Sequence, residues 1–346
     1  MKIVDLRSDT KTHPTTEMRE AMASAEVGDD VAGEDPTVNR LEEMAAEMLG
    51  KESAVLVSSG TQGNLISILS QCQRGDEVIG GDKSHIIRAE GFGPSVLGGV
   101  AMASLPNDTR GLFQVDALNM AIHDDSTKYP NTTLIVLENT HNSMGGIAIA
   151  PEEMKPIISV ARERNIPVHI DGARLFNAAV ALEIPVSALV KDVDTVTFCL
   201  SKGLGCPVGS LICGSHKTIN EARRWRKWLG SAMRQAGIIA AAGIVAMEKM
   251  IDRLSQDHSN ARNLATGLSK IPGISVQLDR IETNLIFIQV NSSNHFGIAA
   301  ELDKQGVKVG ARPGGLWRLV THNDVSSQDI EYALEIIADT FKKMSD

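Results

Sequence analysis

Thr197-Phe198-Cys199-Leu200-Ser201-Lys202-Gly203-Leu204-Gly205 places one lysine directly after an apolar run and directly before a glycine turn. Residues 193–200 mix Val, Thr, Phe, Cys and Leu, the composition of a strand in a covered sheet, and Gly203 and Gly205 let the backbone turn tightly away. Lys202 is therefore expected at the C-terminal end of a strand, on the edge where ligands collect in open α/β sheets. Two readings are open from this stretch alone: a nucleophile that forms a Schiff base with a carbonyl, or a lysine snorkelling out of a strand end.

A second stretch narrows the choice. Ile166-Pro167-Val168-His169-Ile170-Asp171-Gly172-Ala173-Arg174 is again a short apolar strand closed by an acid and a glycine, so Asp171 is delivered to the same edge. An aspartate paired with a Schiff-base lysine is what pyridoxal phosphate requires, because the carboxylate keeps the pyridine nitrogen protonated and the ring then works as an electron sink.

Outward from these two strands the chain alternates. Strands are predicted at 54–57, 77–79, 133–138 and 210–213, and helices at 17–25, from Pro36 to the Gly50 stop, at 61–71 and at 151–165. Strands separated by helices imply an α/β domain with a mostly parallel central sheet covered by helices. A long Ala- and Ile-rich helix over 235–254 leads out of it. Beyond lie helices at 255–268, 299–305 and from 327 onward, with strands at 284–290 and 316–320, a smaller C-terminal α+β unit. The expected division is an N-terminal arm (1–14), a large cofactor-binding domain (15–250) and a small domain (251–346).

Composition removes several function classes. The chain has 346 residues and a formal net charge of −9, which disfavours polyphosphate partners. The one basic, aromatic run, Arg223-Arg224-Trp225-Arg226-Lys227-Trp228, reads as a single-strand nucleic-acid binder or as a helix with a charged face and two packed indoles. The longest uncharged apolar stretch, 237–247, is too short to span a bilayer, and Arg7 and Asp9 leave no room for a signal peptide's apolar core, so a cytoplasmic protein is expected. Cys72, Cys199, Cys206 and Cys213 form no C-x-x-C pair and read as reduced packing thiols; no metal site is indicated.

Ser59-Gly60-Thr61-Gln62-Gly63 joins a strand to a helix, so the backbone N–H groups of Gly60, Thr61 and Gln62 are expected to open at a helix N-terminus, where a phosphate fits; a plain Ser/Thr N-cap is the alternative. Neither a Walker motif nor a dinucleotide motif is present.

These stretches, with Asp5-Leu6-Arg7-Ser8-Asp9-Thr10, Gly28-Asp29-Asp30-Val31-Ala32-Gly33-Glu34-Asp35-Pro36, Ser84-His85, Glu138-Asn139-Thr140-His141-Asn142, Met233-Arg234-Gln235 and Arg318-Leu319-Val320-Thr321-His322, resemble the threonine aldolase family of fold type I pyridoxal-phosphate enzymes nearly end to end. The resemblance implies retro-aldol cleavage of L-β-hydroxy amino acids to glycine and an aldehyde. β-Elimination, racemisation or transamination on the same scaffold is the nearer alternative, and a non-enzymatic regulator the farther one. By resemblance Lys202 carries the cofactor, Asp171 meets its pyridine nitrogen, Ser59, Gly60 and Thr61 hold its phosphate, and His85 stacks on its ring near the substrate hydroxyl; His85, directly or through water, is the candidate base, with the cofactor phosphate as its rival. Arg174 and Arg318, with Ser8, are the implied carboxylate ligands, since a guanidinium holds a carboxylate through two parallel hydrogen bonds; Arg312 is a weaker competitor, and Arg174 is also counted among the cofactor contacts. Lys227 and Arg234 are implied to reach a neighbouring subunit's phosphate, which calls for at least a dimer, with a tetramer suggested by the family. The chain departs from the pattern at Ala32 and Ala89, where relatives carry aromatics, and at Lys128, where they carry histidine. These positions are expected near the substrate side chain, and two readings are open: drift at the pocket edge that leaves specificity unchanged, or a wider pocket favouring bulkier or acidic substrates through Lys128.

Overall fold

The computed structural model describes residues 2–124 and 127–344. The chain opens with strand β1 (Val4–Asp5) and helices α1 (Thr16–Ala23) and α2 (Pro36–Leu49). Alternating elements follow: β2 (Ser53–Val57), α3 (Gly60–Leu69), β3 (Glu77–Gly81), α4 (His85–Arg88), β4 (Ala101–Leu105), α5 (Val115–Ala121), β5 (Thr132–Glu138), α6 (Pro151–Glu163) and β6 (Val168–Asp171). Helices α7 (Leu175–Leu182) and α8 (Val186–Val190) lead to β7 (Thr195–Cys199), β8 (Ser210–Gly214), α9 (His216–Trp228) and α10 (Gly237–Lys249). The C-terminal part holds α11 (Leu254–Leu268), β9 (Ile274–Val276), β10 (Leu285–Val290), α12 (His295–Lys304), β11 (Val307–Lys308), β12 (Gly310–Ala311), β13 (Leu316–Val320) and α13 (Ser327–Met344).

Seven strands form the central sheet in the order β2-β8-β7-β6-β5-β3-β4. The pairs from β7 through β6, β5 and β3 to β4 are parallel, whereas β8 runs antiparallel to both β7 and β2. The mostly parallel sheet expected from the sequence is found, and the reversal of β8 has a local reason: residues 200–209, which join β7 to β8, contain no helix and are shorter than the dozen or so residues a parallel crossover needs. With β8 alone reversed, the C-terminal ends of the other six strands share one edge. Buried Val, Ile and Leu of β5, β6 and β7 face helices on both sides, which is why these strands read as continuous apolar runs.

Local chemistry seats the helices that frame that edge. Asp35 caps α2 by accepting from the N–H groups of Thr37 and Val38, Pro36 fills its first position, and Gly50 ends it at φ 63°. Gly63 lets α3 lie against β7: a Cβ there would come 2.4 Å from Thr197 Cγ2.

A second apolar core gathers around the four-stranded antiparallel sheet β12-β13-β10-β9. Residues alternate across it. Ile286, Ile288, Trp317 and Leu319 pack into that core, while Phe287, Leu316 and Arg318 occupy the opposite face. The first residues of the chain join this unit: Val4 pairs in parallel with Val307, the Leu6 N–H donates to Lys308 O at 2.9 Å, and Val320 N–H donates to Leu6 O at 2.8 Å. Val4 and Leu6 are buried in the same core, so the segment is anchored before it crosses to the large sheet at Ser8 and Asp9.

Candidate active site

Four strand ends bring the candidate residues to one edge. Lys202 follows β7, Asp171 ends β6, Glu138 ends β5, and His85 opens α4 just after β3. Beside them, Ser59 caps α3, its Oγ accepting from the Gln62 N–H at 3.2 Å. That cap removes one of the three expected phosphate donors. Gly60 and Thr61, in the first turn, keep N–H groups with no intrahelical acceptor. Gly60 is required here, since a Cβ would lie 2.7 Å from Cys199 Sγ. Lys202 is half-buried, and its Nζ makes no hydrogen bond or ion pair among the described residues.

Asp171 is 2% exposed and tightly fixed. Its Oδ1 accepts from the Ala173 N–H at 3.2 Å and its Oδ2 from Asn64 Nδ2 at 3.0 Å. The same Asn64 nitrogen donates to Glu90 Oε1 at 3.0 Å. With both N–H bonds committed, Asn64 Oδ1 must accept, and it lies 3.2 Å from His169 Nε2. His169 therefore carries its proton on Nε2 and accepts at Nδ1 from Thr195 Oγ1 at 2.9 Å. Burial pushes His169 down to about 4, which keeps this relay neutral.

Glu90 also faces His85, with Nδ1 and Oε1 2.8 Å apart. A hydrogen bond to Glu90, the largest influence on it, raises the His85 pKa above that of a free imidazole. When Nδ1–H donates to Glu90, the Nε2 lone pair of the neutral ring is left to accept a proton. Glu138 is wholly buried, with Oε2 accepting from the His85 N–H and Oε1 from the Asn142 N–H; burial, with the nearby Asp171 charge, pushes its carboxyl up to about 7. His85, Glu90 and Asp171 present atoms within 4.8 Å of one another, a spacing compatible with a metal. Asn64 Nδ2 donates to both carboxylates, so an N–H donor stands where a cation would sit.

Across from this floor stand the arginines. Arg174 forms a two-point pair with Asp9, Nε to Oδ2 at 2.6 Å and Nη2 to Oδ1 at 2.7 Å, with both side chains buried. Only Nη1 remains, 3.5 Å from Asn142 Oδ1. Burial alone would raise Asp9, yet Arg174 holds it down to about 2. Arg318 donates to Asn142 Oδ1 at 3.3 Å and to Arg7 O at 3.2 Å, and no carboxylate pairs with it among the described residues. Burial, then the charges of Arg174 and Arg312, lower its pKa to about 10, so an anion arriving there meets an uncompensated cation. Ser8, beside Arg7 and Asp9, accepts at Oγ from the Thr10 N–H and hydroxyl at 3.3 and 2.9 Å.

Of the remaining candidates, Ala89 stays beside the candidate base, its N–H donating to His85 O at 2.8 Å. Arg234 pairs with Asp29 at 2.9 Å, and exposed Lys227 shares a hollow with Asp30 and Ala32. Ala89 is exposed beside Glu90. Lys128 precedes β5 at its N-terminal end, where the ammonium lies 5.1 Å from the Tyr129 ring. At ~3.3 Å per residue, the seven residues of β5 put it about 20 Å from the edge holding Asp171, so the expected contact with substrate is not made inside one chain.

Sequence reasoning assigned no role to Asn64, Glu90, Asp9 or Glu138. An asparagine inside an apolar helical run was the available signal for Asn64, since such a residue is a poor helix former unless its amide is engaged. Asp9 and Glu138 stand in two of the quoted motifs, Glu90 in none, and none of the three carries a periodic or spacing signal of its own.

The site has the donor set that pyridoxal phosphate needs: a buried, hydrogen-bonded carboxylate, a lysine without a partner, and a helix N-terminus with free N–H groups. The β-eliminating lyase family model matches residues 5–291. Low-specificity L-threonine aldolase 1 of Arabidopsis thaliana is 45% identical over 340 residues, covering 96% of this chain and 95% of that protein. The low specificity L-threonine aldolase of Escherichia coli (strain K12) is 43% identical over 328 residues, 95% of this chain and 96% of its own length. The solved threonine aldolase of Leishmania major, at 20% identity, shares the fold with a TM-score of 0.82 over 96% of this chain and 98% of that one. On the family match and on relatives that run almost its full length, this chain belongs to the pyridoxal-phosphate-dependent threonine aldolase family.

Proposed function

We infer that the protein cleaves L-β-hydroxy amino acids of the threonine and allo-threonine type to glycine and an aldehyde. The observation that carries this reading is the convergence of Lys202, Asp171, His85 and the N-terminus of α3 on one sheet edge, facing an arginine with no carboxylate partner. When pyridoxal phosphate is bound, Lys202 would hold it, Asp171 would face its pyridine nitrogen, and Ser59, Gly60 and Thr61 would take its phosphate. When bound, pyridoxal phosphate supplies the sink for the electron pair released at the substrate Cα.

The chain's own residues select which bond gives up that pair. Arg318 and the Nη1 of Arg174, with Ser8, would fix the substrate carboxylate and so decide which bond at Cα is oriented to give up its electron pair. His85 Nε2 takes the hydroxyl proton as Cα–Cβ breaks; the C–O bond becomes a carbonyl and the aldehyde leaves. Cα then receives a proton to give glycine. Glu90 keeps the His85 ring oriented throughout.

Lys227 and Arg234 are assigned to a neighbouring subunit's site in a homo-oligomer, a reading supported by the exposed Lys227 and by Arg234 held at the surface by Asp29. The large unit is taken as 15–250 and the small one as 251–346, supported by two separate apolar cores, with the N-terminal arm packed on the second. A cytoplasmic location is supported by four free, buried cysteines. No helix among the described residues is long and apolar enough to cross a membrane.

Product analysis tests the reaction. Threonine should yield glycine and acetaldehyde in equal amounts, and Lys202→Ala should abolish both while leaving the denaturation midpoint near the parent's. An α-keto acid with ammonia as the main products would overturn the aldol reading. Mixing inactive Lys202→Ala with inactive Arg234→Ala should restore partial activity in hybrid oligomers; no recovery after verified exchange removes Arg234 from the neighbour's site.

A further inference from the structure

A cavity of about 410 Å³ opens between the segment that carries His85 and the outward face of the small sheet. Lys83 and Arg88 line one side, Arg280, Arg312 and Phe287 the other, and Met144 part of its wall. Among the described residues no Asp or Glu lines it, although the chain as a whole carries nine more acids than bases. Lys83, Arg88 and Arg312 form no ion pair among the described residues. Arg280 is held by backbone oxygens, Nη2 donating to Thr109 O at 2.7 Å and to Met144 O at 3.3 Å, and the Arg312 guanidinium lies over the Phe287 ring at 5.3 Å. Arg110 provides the contrast: it sits against Glu153 and Glu282 and is fully neutralised. Like charges gathered in a concave, partly buried site repel one another and raise the local concentration of anions.

The cavity borders the strand pair that carries Arg318, the candidate carboxylate ligand. Phe287 pairs in register with Arg318 across β10 and β13, and Arg312, whose N–H donates to Leu316 O at 3.0 Å, extends β12 on the same sheet face. Met144 lies two residues beyond Asn142, the residue that accepts from both Arg174 and Arg318. Lys83 and Arg88 flank His85 in sequence, so a ligand held at its reacting carbon by His85 and at its carboxylate by Arg318 has these cations along its remaining length.

We propose that this cavity is a subsite for a second anionic group, a carboxylate or phosphate at the end of the substrate side chain, so that acidic β-hydroxy amino acids are the preferred substrates. The proposal rests on the aldolase reading and names its substrate class. It also moves the counter-charge from Lys128, at the far edge of the sheet, to Lys83, Arg88 and Arg312.

Two measurements on the holoenzyme test it. The first compares kcat/KM for L-threonine, 3-hydroxyaspartate and 3-hydroxyglutamate in the parent and in a Lys83→Gln/Arg88→Gln double variant, neither side chain contacting the reacting atoms. The parent should favour at least one acidic substrate over threonine. The double variant should lose about ten- to a hundredfold on that substrate, the size of one or two charged contacts, while staying within about twofold on threonine. The second is calorimetric binding of L-aspartate, L-glutamate and L-alanine, none of which carries a hydroxyl to cleave. The acidic ligands should bind more tightly than alanine in the parent and lose that advantage in the double variant. An acidic-to-neutral ratio that the double variant leaves unchanged in both measurements overturns the proposal. Inorganic phosphate is the third probe: if it inhibits threonine cleavage in the parent alone while those ratios stay fixed, the cavity takes a free anion and the substrate assignment is overturned. A parent that releases no aldehyde from any substrate refutes the aldolase reading instead, and the binding ratio still decides the subsite.

Discussion

Along the large sheet's edge, Glu90, Glu138 and Asp171 are each closed off by hydrogen bonds from within the chain, whereas on the small sheet opposite, Arg312 and Arg318 reach the site with no carboxylate facing them. The acids form a floor whose shape is set before any ligand arrives. The arginines form a wall whose charge is left for the ligand to neutralise. Arg174 is the exception on the wall, because Asp9 from the N-terminal arm has already taken its fork. On the function proposed here, preorganisation and vacancy would divide the labour: the floor would orient the reacting groups and the wall would select for anions.

Asp9 is where this comparison is easiest to break. Asp9→Asn leaves the buried Arg174 charge without its partner, and removing one member of such a pair costs about 3–5 kcal/mol. Denaturant unfolding should show a loss of that size, with activity falling as Arg174 moves. A loss under about 1 kcal/mol would mean that Asn142 and solvent can hold Arg174 alone, and that the wall is not built from the arm.

Asp171→Asn tests the floor with little change of shape. The amide can still accept one hydrogen bond but cannot balance a protonated pyridine, so kcat should fall by about two to three orders of magnitude, comparable to losing one preorganised electrostatic contact. Weaker retention of the cofactor should accompany it. Activity within tenfold of the parent would show that Asp171 is a structural acid of the Asn64 relay. Arg318→Gln should act more modestly and on a different constant, raising KM for threonine about ten- to a hundredfold with a smaller change in kcat, as expected for one charged contact to the carboxylate. An unchanged KM would give the carboxylate to Arg174 or Arg312.

The floor was far more legible in the sequence than the wall. Asp171 and Lys202 follow apolar runs that can only be buried strands, and each is followed by glycine, so their place at the sheet edge follows from local pattern. The wall depends on contacts between residues far apart in the chain: Asp9 with Arg174, and Val4 with Val307, pair across separations that no period reveals. Strand β4 went unread because Ala101, Met102, Ala103 and Ser104 lack β-branched side chains and the strand is largely solvent-facing. Helix α7 went unread for the opposite reason, since Leu175–Leu182 is apolar nearly all round and shows no amphipathic stripe. Lys128 is placed near the substrate by family resemblance alone, and within one chain residues just before β5 stand at the edge opposite the one its C-terminus reaches.

The smallest expected effect separates floor from wall by the sign of its pH dependence. Arg174 holds the Asp9 carboxyl at about 2, below the ~3.9 of an unfolded aspartate, so the folded chain binds its proton less tightly there. That contribution to stability is complete above pH ~4 and disappears as pH falls toward 2. Glu138 behaves in the reverse sense. Burial and the Asp171 charge raise it to about 7, above the ~4.3 of an unfolded glutamate, so its contribution is complete below pH ~4 and disappears as pH rises through 7. Unfolding free energies measured from pH 5 to pH 8 should therefore decline by on the order of 2–3 kcal/mol in the parent. The decline should flatten in Glu138→Gln. The slope is the readout and the absolute stability is not, because an amide oxygen accepts from only one of the two backbone N–H groups, of His85 and Asn142, that the carboxylate joins. A slope that survives Glu138→Gln but vanishes in Glu90→Gln would move the titrating acid from the strand end to the His85 partner, and would make the histidine pair, rather than the buried strand carboxylate, the pH-sensitive part of the floor.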